Sequence, residues 1–121
     1  VQQVSTTTTT TTSLHFEITP EIDWESISGL VKITIYRIVQ EALTNVTKYA
    51  SATECHVTIT QPNASTLLLR ISDTGKGFDL AQISTGIGLK NMRERARLVK
   101  AELNIQSKIG QGTTIECRFM V

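Results

Sequence analysis

A two-layer α/β sandwich, an α+β arrangement of one sheet with its helices on one face, is the fold class the sequence predicts. Three observations carry that expectation. From Lys32 to Ala50 the apolar residues Ile35, Ile38, Val39, Ala42, Leu43, Val46 and Ala50 recur at steps of three and four, one continuous helical stripe. A second stripe, Leu89, Met92, Ala96 and Val99, marks a helix over 88–100. The segments around them change to a period of two, so the order reads strand, helix, strand, strand, loop, helix, strand, strand. One-sided helices and mostly alternating strands bury each other most economically as two layers.

Each element has its own signal. "VQQVSTTTTTTTS" opens the chain with an unbroken threonine run from Thr6 to Thr12 and offers too little apolar surface to order itself; residues 1–13 are expected to be a linker or stub, and 14–121 the domain. In "LHFEIT" Leu14, Phe16 and Ile18 share one face of a short strand. A loop with Pro20 and Gly29 leads into the long helix. Cys55, Val57 and Ile59 then alternate with polar residues, "QPNAS" turns the chain, and "TLLLRIS" returns it as a more fully buried strand. "ELNIQS" and "TTIECRFMV" close the chain around the turn "KIGQG", with Ile115, Cys117, Phe119 and Val121 on one face.

Composition narrows the function classes. A chain of 121 residues, 40% hydrophobic and 19% charged, suits one ordinary globular domain. A net charge of +1 argues against a nucleic-acid module. No apolar run reaches the length of a membrane span, so no membrane contact is expected. Cys55 and Cys117 lie far apart on strand-like segments and read as buried free thiols, without the spacing of a metal site, which favours a cytoplasmic setting.

Four segments could carry chemistry. On the long helix Arg37, Glu41, Asn45 and Lys48 form a polar stripe beside the apolar one. It reads as a solvated face with an Arg37–Glu41 pair, or as the wall of a cleft. In the second case a carboxylate and an amide oxygen one turn apart suit Mg²⁺, and the lysine suits phosphate. In "SDTGKGFD", Asp73 ends a buried strand and needs hydrogen-bond donors there. An adenine amino group is such a donor, and Gly75 and Gly77 would let a flat base lie against the main chain; the alternative is a plain turn. In "STGIGLKNM", Gly86 and Gly88 precede Leu89 and a helix whose free N–H groups would point at an anion. "GQGTT", 110–114, is a tight turn into the last strand.

In that order the four segments resemble the ATP-binding domain of the GHKL superfamily, which includes gyrase, MutL and the sensor histidine kinases. "QEALTNVTKYA" and "GIGLKNMRERARLVKAEL" look most like the histidine-kinase branch with a glutamate-type N-box, the one usually paired with helix-turn-helix response regulators. The resemblance covers Leu14 to Val121. It implies a mixed sheet of the Bergerat type, with ATP and Mg²⁺ as cofactors.

Carried over by position, Asn45 resembles the magnesium ligand, and Glu41 the catalytic residue that orients or deprotonates the nucleophile. Lys48 and Tyr49 match positions near phosphate and ribose. Asp73 matches the acid that reads adenine, with Gly75 and Gly77 as its glycines. Gly86, Gly88 and Leu89 match the phosphate-facing segment. Thr113 matches the threonine that supports the adenine site through the acid and a water. The resemblance implies transfer of the γ-phosphoryl to a histidine on a separate dimerising hairpin, and through it, indirectly, to a response regulator. His15 and His56, both on strand-like segments, read as ordinary strand residues, so the acceptor is expected before Val1. The loop over 80–85 is short, as is the lid it implies. An ATP-dependent interaction switch and an anti-sigma serine kinase are the alternatives on the same fold.

Overall fold

The computed structural model describes residues 2–5, 11–47, 54–77 and 88–121. Strand β1 (Gln2–Ser5) pairs antiparallel with β2 (Thr11–Ile18), and a 3₁₀ turn at Trp24–Ser26 precedes helix α1 (Gly29–Asn45). Strands β3 (Glu54–Asn63) and β4 (Thr66–Asp73) form the hairpin; helix α2 (Leu89–Leu98) and strands β5 (Glu102–Lys108) and β6 (Gly112–Met120) follow. The six strands lie in the order β1-β2-β3-β4-β6-β5, with β2 parallel to β3 and every other pair antiparallel. This is the mixed-sheet α/β sandwich the sequence predicts.

Three boundaries differ from the sequence expectation. Residues 2–5 and 11–13, assigned there to a linker, pair as strand. Thr11 and Thr12 in β2 have the branched Cβ that favours extended backbone, and β1 lies at the edge of the sheet. Strand β3 runs on through Pro62, where the register shifts between Thr60 and Asn63, the kind of irregularity that accommodates a residue without an N–H. Val121, expected inward, is exposed.

Helix α1 begins where Ser28 caps it, its side chain accepting the Val31 N–H at 3.2 Å. Val31, Ile35, Ile38, Ala42 and Val46 are buried, with Val39 and Leu43 packed at the margin. They meet Val57 and Ile59 of β3, Leu67, Leu69 and Ile71 of β4, Ile115, Cys117 and Phe119 of β6, and Leu89, Met92 and Ala96 of α2 in one core. Both cysteines are buried and free. The central position of β4 explains its nearly continuous burial: it is hydrogen-bonded to neighbours on both sides and covered by helix on one face. It also delivers Asp73, its last residue, to the rim of the core.

Candidate nucleotide-binding site

Asp73 stands opposite Cys55 of β3 and Thr113 of β6, so strands on both sides hold it in place. Its carboxylate is half-buried and accepts the Gly75 N–H at 2.8 Å, and the Thr113 main chain donates to it as well. Burial pushes its pKa above the ordinary 3.8, and these two N–H groups pull it back down. An acid so placed is ionisable and part-satisfied, with oxygen capacity left for a further donor. Behind it, burial first and the Asp73 charge second push the Cys55 thiol up to about 12, which keeps it protonated and inert.

The glycines that follow Asp73 do something the sequence did not suggest. Gly77 has φ +64°, and a Cβ there would run into the main-chain oxygen of Lys108. The Gly110 N–H donates to the Lys76 carbonyl from the same turn. Gly112, φ +79°, would carry its Cβ into the carbonyl oxygen of Asp73. A side chain at Gly77 would therefore meet the β5–β6 turn. The two glycine segments lock together, main chain on main chain, and the lock fixes the acid. Gly75, also buried, contributes its N–H.

Thr113 is buried, and its hydroxyl lies 2.8 Å from that of Ser107. Ser107 donates to the Gly112 carbonyl at 3.2 Å. With its one proton engaged there, it accepts from Thr113. Ser107 and Gly112 are thus parts of the site that sequence reasoning missed. Their signal was the strand pairing Ser107↔Thr113 across the turn, which only the register supplies.

The helical motif and the second glycine motif also meet. Gly88 caps α2 in the left-handed region, φ +80°, without a side-chain cap. A Cβ at Gly88 would come within 2.5 Å of Glu41 Oε2 and 3.7 Å of Asn45 Oδ1. The positive end of α2 therefore faces two half-buried oxygen-bearing side chains one turn apart on α1. No ion pair joins Arg37 to Glu41 among the described residues, and Arg37 is exposed, so Glu41 serves this junction instead. Leu89 is 2% exposed, and its side chain belongs to the core, where it seats the first turn of α2. Lys48, Tyr49, Gly86 and the 80–85 loop lie outside the described residues.

The family described as "Histidine kinase-, DNA gyrase B-, and HSP90-like ATPase" matches residues 31–121, which takes in both halves of this site. The chain belongs to this family. The ATPase domain is also similar in fold to two solved structures. One is the blue-light activated histidine kinase of Erythrobacter litoralis EL346, at 19% identity and a TM-score of 0.74, over 88% of this chain and 34% of that one. The other is the histidine kinase domain of the same protein, at 19% identity and a TM-score of 0.67, over 88% of this chain and 51% of that one. This chain thus spans about a third and about half of the lengths it matches. At that identity the likeness is one of fold, and it agrees with the sheet order and helix placement above.

Proposed function

We propose that this ATPase domain is the ATP-binding catalytic part of a sensor histidine kinase in two-component signalling. In this reading it binds Mg-ATP, and the γ-phosphoryl passes to a histidine on a separate dimerisation domain and then, indirectly, to a response regulator. The glutamate-type N-box, the pairing with helix-turn-helix regulators and a cytoplasmic setting belong to the same proposal; among the described residues no helix is long and apolar enough to cross a membrane. The observations that carry the reading are Asp73, half-buried at the end of β4 and tied by main-chain N–H groups, and a helix N-terminus that opens on Glu41 and Asn45.

Each residue has work to do in that reaction. Asp73 accepts the amino group of adenine, a donor that guanine lacks at that position. Thr113, held by Ser107, keeps the acid in register. The start of α2 presents free N–H groups to phosphate. The donor set on α1, an amide oxygen and a carboxylate, is the hard-oxygen chemistry that Mg²⁺ takes alongside phosphates. Asn45 would hold that ion, which neutralises phosphate charge when bound. Glu41 orients or deprotonates the attacking group, and Lys48 and Tyr49 approach phosphate and ribose. Catalysis in this class rests on positioning and charge, so a small domain suffices once the acceptor is supplied.

Titration with a fluorescent ATP analogue tests the reading. Tight binding that strengthens with Mg²⁺ is expected. Asn45→Ala should remove the gain that Mg²⁺ gives and leave magnesium-free ADP binding close to wild type. If both affinities fall together, Asn45 is a structural residue and the metal assignment fails.

A further inference from the structure

On the sheet face turned away from the helices, the parallel register of β2 and β3 sets His15 directly beside His56. Their rings stack, with centroids 4.4 Å apart and planes 10° from parallel. Glu54, two residues before His56 on the same strand face, brings Oε1 to 3.6 Å from His15 Nε2. That separation is too long for a hydrogen bond, and His15 Nε2 is sealed from solvent with no hydrogen-bond partner. One ligand atom from each of the three residues lies within 4.8 Å of the others. Two imidazoles and a carboxylate converge, and one ring nitrogen is both buried and idle.

We propose that His15, Glu54 and His56 form a binding site for a transition-metal dication, best suited to Zn²⁺. Imidazole nitrogen with carboxylate oxygen is a zinc donor set, and three protein ligands leave the fourth position open to water. At bond lengths of about 2.0–2.2 Å, tetrahedral ligands sit roughly 3.3–3.6 Å apart. To reach that spacing the stacked rings and the carboxylate must rotate toward one another, and the strand register already sets His15 beside His56. The idle His15 nitrogen gains an electrophile, which offsets the cost of its burial. Mg²⁺, which demands oxygen ligands and keeps its waters, is excluded by the same donor set, so the two metal sites of this chain would not compete.

The place of the cluster gives a bound ion a mechanical consequence. It pins β2 to β3 across the only parallel pairing among the described strands. It also grips Glu54, whose main chain exchanges hydrogen bonds with Thr74, the residue after Asp73: Glu54 N–H to Thr74 Oγ1 at 3.1 Å, and Thr74 N–H to the Glu54 carbonyl at 3.1 Å.

The test is zinc binding by the EDTA-stripped chain without nucleotide, followed by calorimetry and by the histidine ring ¹⁵N resonances, with MgCl₂ as the control. One equivalent of Zn²⁺ should bind, the ring nitrogens of both histidines should shift, and the melting temperature should rise and fall back with EDTA. Mg²⁺ should do none of this. His15→Gln and His56→Gln should each weaken zinc at least about tenfold. Both positions are outside the core, so their metal-free melting temperatures should match wild type; should either fail to fold, the ring shifts of the unaltered chain decide alone. No heat and no ring shift at about tenfold molar excess of zinc would overturn the proposal. Unchanged binding in the double variant would overturn it too, by placing the ion elsewhere.

Discussion

Asp73→Asn is expected to weaken ATP binding roughly tenfold to a hundredfold while leaving the fold intact. A charge-assisted hydrogen bond is worth about 1.5–3 kcal/mol, and the variant loses it. The new amide also brings an N–H₂ to a place where the Gly75 and Thr113 N–H groups and the adenine amino group all need an acceptor. One carbonyl oxygen cannot serve all three. A fluorescent-nucleotide titration of both proteins measures the difference, and equal affinities would remove adenine from Asp73.

The same carboxyl makes binding depend on pH. Its folded pKa is raised above 3.8, mainly by burial, so its ionisation opposes folding. That contribution to stability is present below the unfolded value and is lost as pH rises through the folded pKa. Nucleotide affinity runs the other way, because binding needs the carboxylate. Affinity should therefore fall as pH drops through the folded pKa, beginning above 3.8, and Asp73→Asn should flatten that profile.

The largest effect on stability is expected at Gly112. An alanine there adopts positive φ at about 1–2 kcal/mol and drives its Cβ into the Asp73 carbonyl, a further ~1–3 kcal/mol. For a chain of this size the sum lowers the melting temperature on the order of 10 °C. Gly110→Ala is the matched control: φ is +83°, but no atom lies within 4 Å of its Cβ. That variant should cost only the backbone term, about 1–2 kcal/mol. Thermal melts of the two variants distinguish close approach from mere turn geometry. Equal shifts would mean that the contact between Gly112 and Asp73 is not tight.

Much of this architecture was legible because the signals were local. The α1 stripe from Ile35 to Val46, the β3–β4 hairpin and the acid at the end of β4 follow from periodicity and from the cost of an unsatisfied carboxylate. What stayed hidden is what strand pairing creates. Gly77 and Gly112 read as ligand-facing or plain-turn glycines, because nothing in sequence says that the two turns touch. Ser107 gained a role only when register set it across from Thr113. His15 and His56 are 41 residues apart and look like ordinary strand residues; a parallel crossover through α1 makes them neighbours. The threonine-rich start lacks a hydrophobic pattern, yet its ends pair as an edge, where backbone hydrogen bonds matter more than side-chain burial.

Phosphoryl transfer in trans is the measurement that tests the central claim most directly. Incubated with γ-labelled ATP, the chain alone should form no acid-labile phosphohistidine. Its two histidines stack on the outer face of the sheet, whereas Asp73 lies opposite Cys55 on the core face. Adding a separate dimeric helical hairpin from the same parent kinase should place label on the hairpin's histidine, because transfer then needs only encounter and orientation. Label on His15 or His56 in the chain alone would contradict this division of labour. Tight ATP binding with no transfer to the hairpin would contradict the kinase reading itself and favour a nucleotide-gated interaction switch.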